Sequence, residues 1–111
     1  MNELSNTYNQ NSQEPKVLVI DRCNPTIAPP SKFVVLMHND DFTPMDFVID
    51  ILIKHFGHNA DVATQIMMNI HNKGNGIAGV FSKDIAETKA FIAMEEARIK
   101  EYPFLLTVEK E

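Results

Sequence analysis

Phe33-Val34-Val35-Leu36-Met37-His38-Asn39-Asp40-Asp41-Phe42-Thr43-Pro44-Met45-Asp46-Phe47-Val48 is the stretch whose reading decides the fold. Its opening run, Phe33 to Met37, is apolar and rich in β-branched residues, which reads as a strand. Asn39-Asp40-Asp41 interrupts it. Asn and Asp side chains hydrogen-bond their own backbone and tolerate unusual φ, so this segment reads as a turn. Thr43 then reads as an N-cap, Pro44 as the first helical residue and Asp46 as a first-turn carboxylate. Each suits the donor-rich, electropositive start of a helix. Strand, turn and helix in one stretch set Asn39 and Asp40 at the mouth of a helix.

Working outward, Met45, Val48, Leu52 and Phe56 recur at one helical face, and Gly57 closes that helix. Asn59 caps a second helix with Ala63, Ile66, Met67 and Ile70 as its stripe. His71 lies one turn beyond Met67, and Gly74 is the stop. Ile77 to Phe81 reads as a second strand. Ser82 caps a third helix over 83–101, whose inner stripe of Ala86, Ala90, Ala93, Met94 and Ala97 lets it lie close against a sheet. Tyr102-Pro103 stops it, since proline cannot continue a helix and restricts the residue before it. Phe104 to Val108 closes the chain as a strand. The order is β-α-α-β-α-β. It predicts an α+β domain, a small antiparallel three-stranded sheet covered by three helices.

Composition shifts near Lys32. Residues 1–31 hold Pro15, Pro25, Pro29 and Pro30 among many Asn, Gln and Ser, and read as a flexible N-terminal extension. Residues 32–111 read as the core domain. Val17-Leu18-Val19-Ile20 is the exception in the extension, an apolar, β-prone run fit to pair with the domain or a partner. The chain of 111 residues has length for one domain, with 44% apolar and 23% charged residues. A net charge of −5 makes nucleic acid a poor partner and cationic groups good ones. The single cysteine, Cys23, allows no internal disulfide and no paired-cysteine metal site. The first residues lack a basic and then apolar leader pattern, and no apolar run nears the roughly 18 residues of a membrane span. A cytoplasmic monomer is the simplest expectation.

Asn39, Asp40 and His71 are the polar side chains worth weighing. If the first two helices pack as a hairpin, Met45, Val48, Met67 and Ile70 can line an apolar hollow rimmed by these three. A carboxylate, an amide oxygen and a neutral imidazole nitrogen all accept hydrogen bonds. Such a rim suits an ammonium, and methionines suit a hollow that must adapt. By spacing alone the bland readings come first. The four apolar residues read as core, Asp40-Asp41 as a turn, and His71 as a helix-end dipole partner.

The wider pattern weighs against stopping there. Asn39-Asp40-Asp41-Phe42-Thr43-Pro44-Met45 with Phe47-Val48-Ile49-Asp50 resembles the signature segment of the ClpS family. So do Ala63-Thr64-Gln65 with Met67 and His71, Gly79-Val80-Phe81, Ala86-Glu87-Thr88-Lys89, and Leu105-Leu106-Thr107-Val108-Glu109-Lys110. The matches keep their order from about Lys32 to the end. The resemblance implies a non-enzymatic adaptor without cofactor or metal. Such an adaptor binds substrates with N-terminal Leu, Phe, Tyr or Trp and delivers them to a ClpA-type AAA+ unfoldase for degradation by ClpP. It implies that Asn39, Asp40 and His71 hold the α-amine. Thr43, Met45, Val48, Met67, Ile70 and Leu106 would shape the side-chain pocket, with Met45 gating out β-branched residues. It also implies that Asp84 and Lys89 belong to the unfoldase-docking face, and that the N-terminal extension serves delivery. Phe42 stands where many members carry Tyr.

Two other classes compete. His38, Asp40, Asp41 and His71 would be the ligands or acid–base groups of a metal-dependent enzyme, but their spacing matches no metal or catalytic motif. A generic interaction module of ribosomal-stalk-like fold would offer a surface without an amine pocket. His55, His58 and Cys23 join no constellation and read as surface or tail residues.

Overall fold

The computed structural model describes residues 30–111. The Val17–Ile20 run and nearly all of the N-terminal extension lie outside the described residues. The elements run β1 (Phe33–His38), α1 (Met45–Phe56), α2 (Ala60–Lys73), β2 (Asn75–Phe81), α3 (Lys83–Ile99) and β3 (Leu105–Lys110). The three strands form the expected antiparallel sheet, in the order β2-β1-β3.

Strand β1 is central because it is the most apolar, and its alternation divides its two faces. Val35 and Met37 are fully buried under the helices, while Val34 and Leu36 face the other way and are only half-buried. Val35, Met37, Ile51, Leu52 and Ile70 are the largest fully buried side chains. Each contributes about 1.5–3 kcal/mol. Helix α3 crosses this core on alanines. Ala86, Ala90, Ala93 and Ala97 are all buried, so its backbone approaches the sheet closely.

Several ends differ in detail from the sequence reading. Pro44, not Thr43, occupies the N-cap position of α1, with extended ψ and no side-chain cap bond. Thr43 is drawn away because its hydroxyl and N–H both donate to Asp40. Asn59 does cap α2, accepting from Val62 N–H at 2.9 Å, whereas Ser82 makes no cap bond. Gly57 and Gly74 close their helices at φ 74° and 91°. Helix α3 ends at Ile99, before Tyr102-Pro103. Glu101 takes a left-handed φ of 64°, and Glu101 N–H and Tyr102 N–H reach back to Arg98 and Ala97 carbonyls. This is a Schellman closure with glutamate at the position glycine usually fills. Strand β2 starts at Asn75 rather than Ile77, and β3 runs Leu105–Lys110 rather than Phe104–Val108.

The register of β1 with β2 slips between Val35, opposite Gly79, and Leu36, opposite Ile77. Ala78 is therefore a bulge residue, left without a ladder partner. His58 answers it: its Nε2 donates to the Ala78 carbonyl at 2.6 Å. His55 is likewise half-buried and pairs with Glu96 at 2.9 Å. Both histidines thus tie elements together, contrary to their reading as plain surface residues.

Candidate functional site

The turn after β1 is built by one carboxylate. Asp40 Oδ1 accepts from Phe42 N–H at 2.8 Å and Thr43 N–H at 2.7 Å, and Oδ2 accepts from the Thr43 hydroxyl at 2.7 Å. Burial pushes the Asp40 carboxyl up, but these three bonds, led by the Thr43 hydroxyl, outweigh it and hold it below its ordinary value. Asp40 is therefore a fixed anion. A carboxylate offers about four lone-pair sites, and the three bonds leave one on Oδ2 for an incoming donor.

A second bond brings His71 to this turn. Asn39 N–H donates to the Gly74 carbonyl at 2.9 Å, joining the end of β1 to the end of α2. His71 lies in the last turn of α2, so the bond sets it across from Asn39 and Asp40. Between them opens a recess of about 230 Å³. Asn39, Asp40, Asp41 and His71 supply its polar side, and Thr43, Met45 and Met67 the remainder. Among the described residues its lining holds two carboxylates and no Lys or Arg.

Behind the recess lies a second, nearly filled crevice of about 10 Å³. The two share Asn39, Asp40, Thr43 and Met67. Val48, Ile70, His38 and Phe104 complete the inner one. Val48, Met67 and Ile70 are 2%, 3% and 1% exposed, so they are core residues that also line this crevice. Met45, by contrast, is 40% exposed at the lip. A space of about 10 Å³ holds roughly one water. A bulky side chain entering here needs the walls to move, and the two methionines are the groups with the rotatable bonds to do it.

The structure thus gathers Asn39, Asp40, Thr43, Met45, Met67 and His71 around one recess, with Val48 and Ile70 directly behind it. Leu106 is buried opposite Met37 in the sheet and lines neither hollow. Phe104 does so instead, held edge-on against Phe47, which also meets Tyr102 at 5.0 Å. His38 joins the lining while its Nε2 lies 2.8 Å from the Thr107 hydroxyl. The sequence reading did not place Phe104 or His38 in the pocket. A residue just outside a strand and one at a strand's last position carry no periodic signal.

Asp84 and Lys89 stand apart from the recess on α3. Asp84 is exposed in the first turn. Lys89 is half-buried: Nζ donates to the His55 carbonyl at 2.7 Å and sits 5.4 Å from the Phe81 ring centre. A larger hollow of about 430 Å³ lies between α1 and the end of α3, but Lys54 and Glu96 in its wall are already paired at 2.7 Å. Among the described residues no group of three or more His, Cys, Asp or Glu is placed to hold a metal ion, and no helix is long and apolar enough to cross a membrane.

A family model described as "ATP-dependent Clp protease adaptor protein ClpS" matches residues 28–107. The chain is 42% identical over 93 residues to the ATP-dependent Clp protease adapter protein ClpS of Xanthomonas oryzae pv. oryzae, covering 84% of this chain and 88% of that one. It is 44% identical over the same length, with the same coverage, to the protein of that name from an Enterobacter species. The structure is similar to that of Agrobacterium tumefaciens ClpS2 bound to L-phenylalaninamide. The TM-score is 0.73 at 35% identity, over 75% of this chain and all of that one. The Xanthomonas and Enterobacter relatives are named as adapters of a protease, not as enzymes. Sequence signature, fold and relatives agree: this chain belongs to the ClpS family of ATP-dependent Clp protease adaptors.

Proposed function

We propose that the recess receives the first residue of a protein substrate, with its α-ammonium at Asn39, Asp40 and His71 and its side chain directed toward Met67, Val48 and Ile70. The observation that carries this reading is the juxtaposition of a fixed, partly unsatisfied carboxylate with an apolar crevice opening directly behind it. The relative bound to L-phenylalaninamide supports it, since that ligand is a free amine beside a bulky aromatic side chain.

The magnitudes fit. Burying a Leu or Phe side chain contributes about 1.5–3 kcal/mol. Each hydrogen bond to the ammonium contributes roughly 1.5–3 kcal/mol. After association costs, this allows binding near micromolar, about 8 kcal/mol. Leu, Phe, Tyr and Trp are the side chains of suitable bulk. On this reading Met45, exposed at the lip, is the gate against a branch at Cβ.

On this reading the adaptor hands its substrate to a ClpA-type unfoldase. Asp84 on the open side of α3 would serve docking, Lys89 would position that helix against α1, and residues 1–31 would take part in delivery. The test is degradation by purified ClpA and ClpP of a reporter beginning with Leu, against the same reporter with Met placed before the Leu. Acceleration of the Leu reporter alone, lost on truncating residues 1–30, supports delivery. Equal rates for both reporters contradict it.

A further inference from the structure

The face of the sheet turned away from the helices carries an apolar block. Val34 and Leu36 alternate with buried Val35 and Met37, and so point to the open side. Val80 is registered opposite Val34, and Ile77 opposite Leu36. Residues directly opposite share a face, so these four form two rows of two. Ile77 is 54% exposed and Val80 39%. Leu105, 50% exposed, adds a corner beyond His38. Glu109, opposite Val34 on β3, borders the first row.

We infer that Val17-Leu18-Val19-Ile20 of the same chain is the occupant of this block. The run has the matching period. In an extended segment alternate side chains repeat at about 6.8 Å, the spacing of the two rows along β1. A second exposed apolar surface is the outer side of α3, where Ile85, Ile92 and Ile99 are 50%, 42% and 73% exposed. Its repeat of seven helical residues is about 10.5 Å, which an extended run does not match.

Reach agrees too. Residues 21–32 separate the run from Phe33, where β1 begins. At about 3.3 Å each they span up to roughly 40 Å, twice the length of β1. A tether of this length keeps the run near millimolar effective concentration. The contact needs no contribution from the recess, which lies on the helix side of the sheet. It parks the extension on the domain until a stronger partner takes it.

Cys23, the chain's single cysteine, follows the run by three residues and accepts a nitroxide spin label in the full-length protein. Methyl NMR spectra of Ile, Leu and Val are recorded with the label oxidised and reduced. The expected result is strong broadening at Ile77, Val80, Leu36 and Val34, with Ile85, Ile92 and Ile99 spared. The double variant Leu18→Ser with Ile20→Ser should lose the broadening at Ile77 and Leu36. Equal broadening in parent and double variant overturns the inference, because the tether alone then explains it. Broadening centred on the α3 isoleucines overturns it in favour of the helix. Broadening of unlabelled-cysteine chains by added spin-labelled chains overturns it in favour of a second copy.

Discussion

Thr43 and Asp40 are joined twice: the hydroxyl donates to Oδ2 and the N–H to Oδ1, each at 2.7 Å. The pair fixes the turn and the anion together, so the carboxylate that would meet a substrate amine needs no reorganisation to do so. Asp40→Ala should weaken binding of a peptide with a free N-terminal Leu by more than about 1.5 kcal/mol, the scale of one charge-assisted bond. Thr43→Val should cost less, about 0.5–1 kcal/mol, because the charge stays while its orientation loosens. Titration calorimetry on both variants, with circular dichroism to confirm folding, checks this. An unchanged affinity for Asp40→Ala removes that residue from the site.

The same bonds set a pH dependence. The folded Asp40 carboxyl is held below its unfolded value, so its charged form stabilises the fold above the unfolded value, and that stability is lost as pH falls through the folded one. The Asp40 contribution to peptide binding should follow the same acid limb, and the difference in affinity between the parent and Asp40→Ala should vanish only at pH below the ordinary aspartate range. Binding should also fall above about pH 8, where an α-amine deprotonates. Affinity measured toward alkaline pH should show a plateau that ends at that limb. A plateau that continues unchanged far above the amine limb would mean the ammonium is not what is recognised.

His58 predicts a stability effect remote from the site. The Ala78 carbonyl only accepts, so His58 must carry its proton on Nε2 to make the 2.6 Å bond. His58→Ala leaves that bulge carbonyl without its donor and should cost about 1–3 kcal/mol. Urea denaturation should show a lower midpoint with an unchanged slope. No shift would mean water replaces the ring at no cost.

Glu101 predicts the opposite sign. Its φ of 64° is a conformation that costs a side-chain-bearing residue on the order of 1 kcal/mol and glycine little. Glu101→Gly should stabilise the domain by about 0.5–1 kcal/mol, read as a higher thermal midpoint. A lower midpoint would mean the glutamate side chain contributes more than the backbone strain removes.

These particulars also show what the sequence makes legible. The order of elements was readable because apolar periods of two and of three to four alternate cleanly, and because Asn59, Gly57 and Gly74 each have one physical use at a helix end. The Thr43 cap does not form because its hydroxyl, expected to accept from a helix N–H, donates instead to the Asp40 carboxylate. The end of α3 was placed late because a Schellman closure on Glu101 breaks the usual glycine signal. His58 was invisible because its partner is a backbone carbonyl twenty residues on, exposed only by a bulge. At the site, Asn39, Asp40 and His71 were picked out by the signature segment rather than by spacing. Their meeting depends on the Asn39–Gly74 backbone bond, which no side-chain pattern announces. Phe104 enters the crevice only through its packing on Phe47.

The most direct test of the central claim is fluorescence anisotropy with a labelled peptide beginning in Leu, beside the same peptide acetylated at its N-terminus and one beginning in Ser. The account predicts saturable binding near micromolar for the free Leu peptide alone, because acetylation removes the ammonium and Ser cannot fill the crevice. Equal binding of all three peptides, or none, would contradict it and leave the recess without a role in reading N-termini.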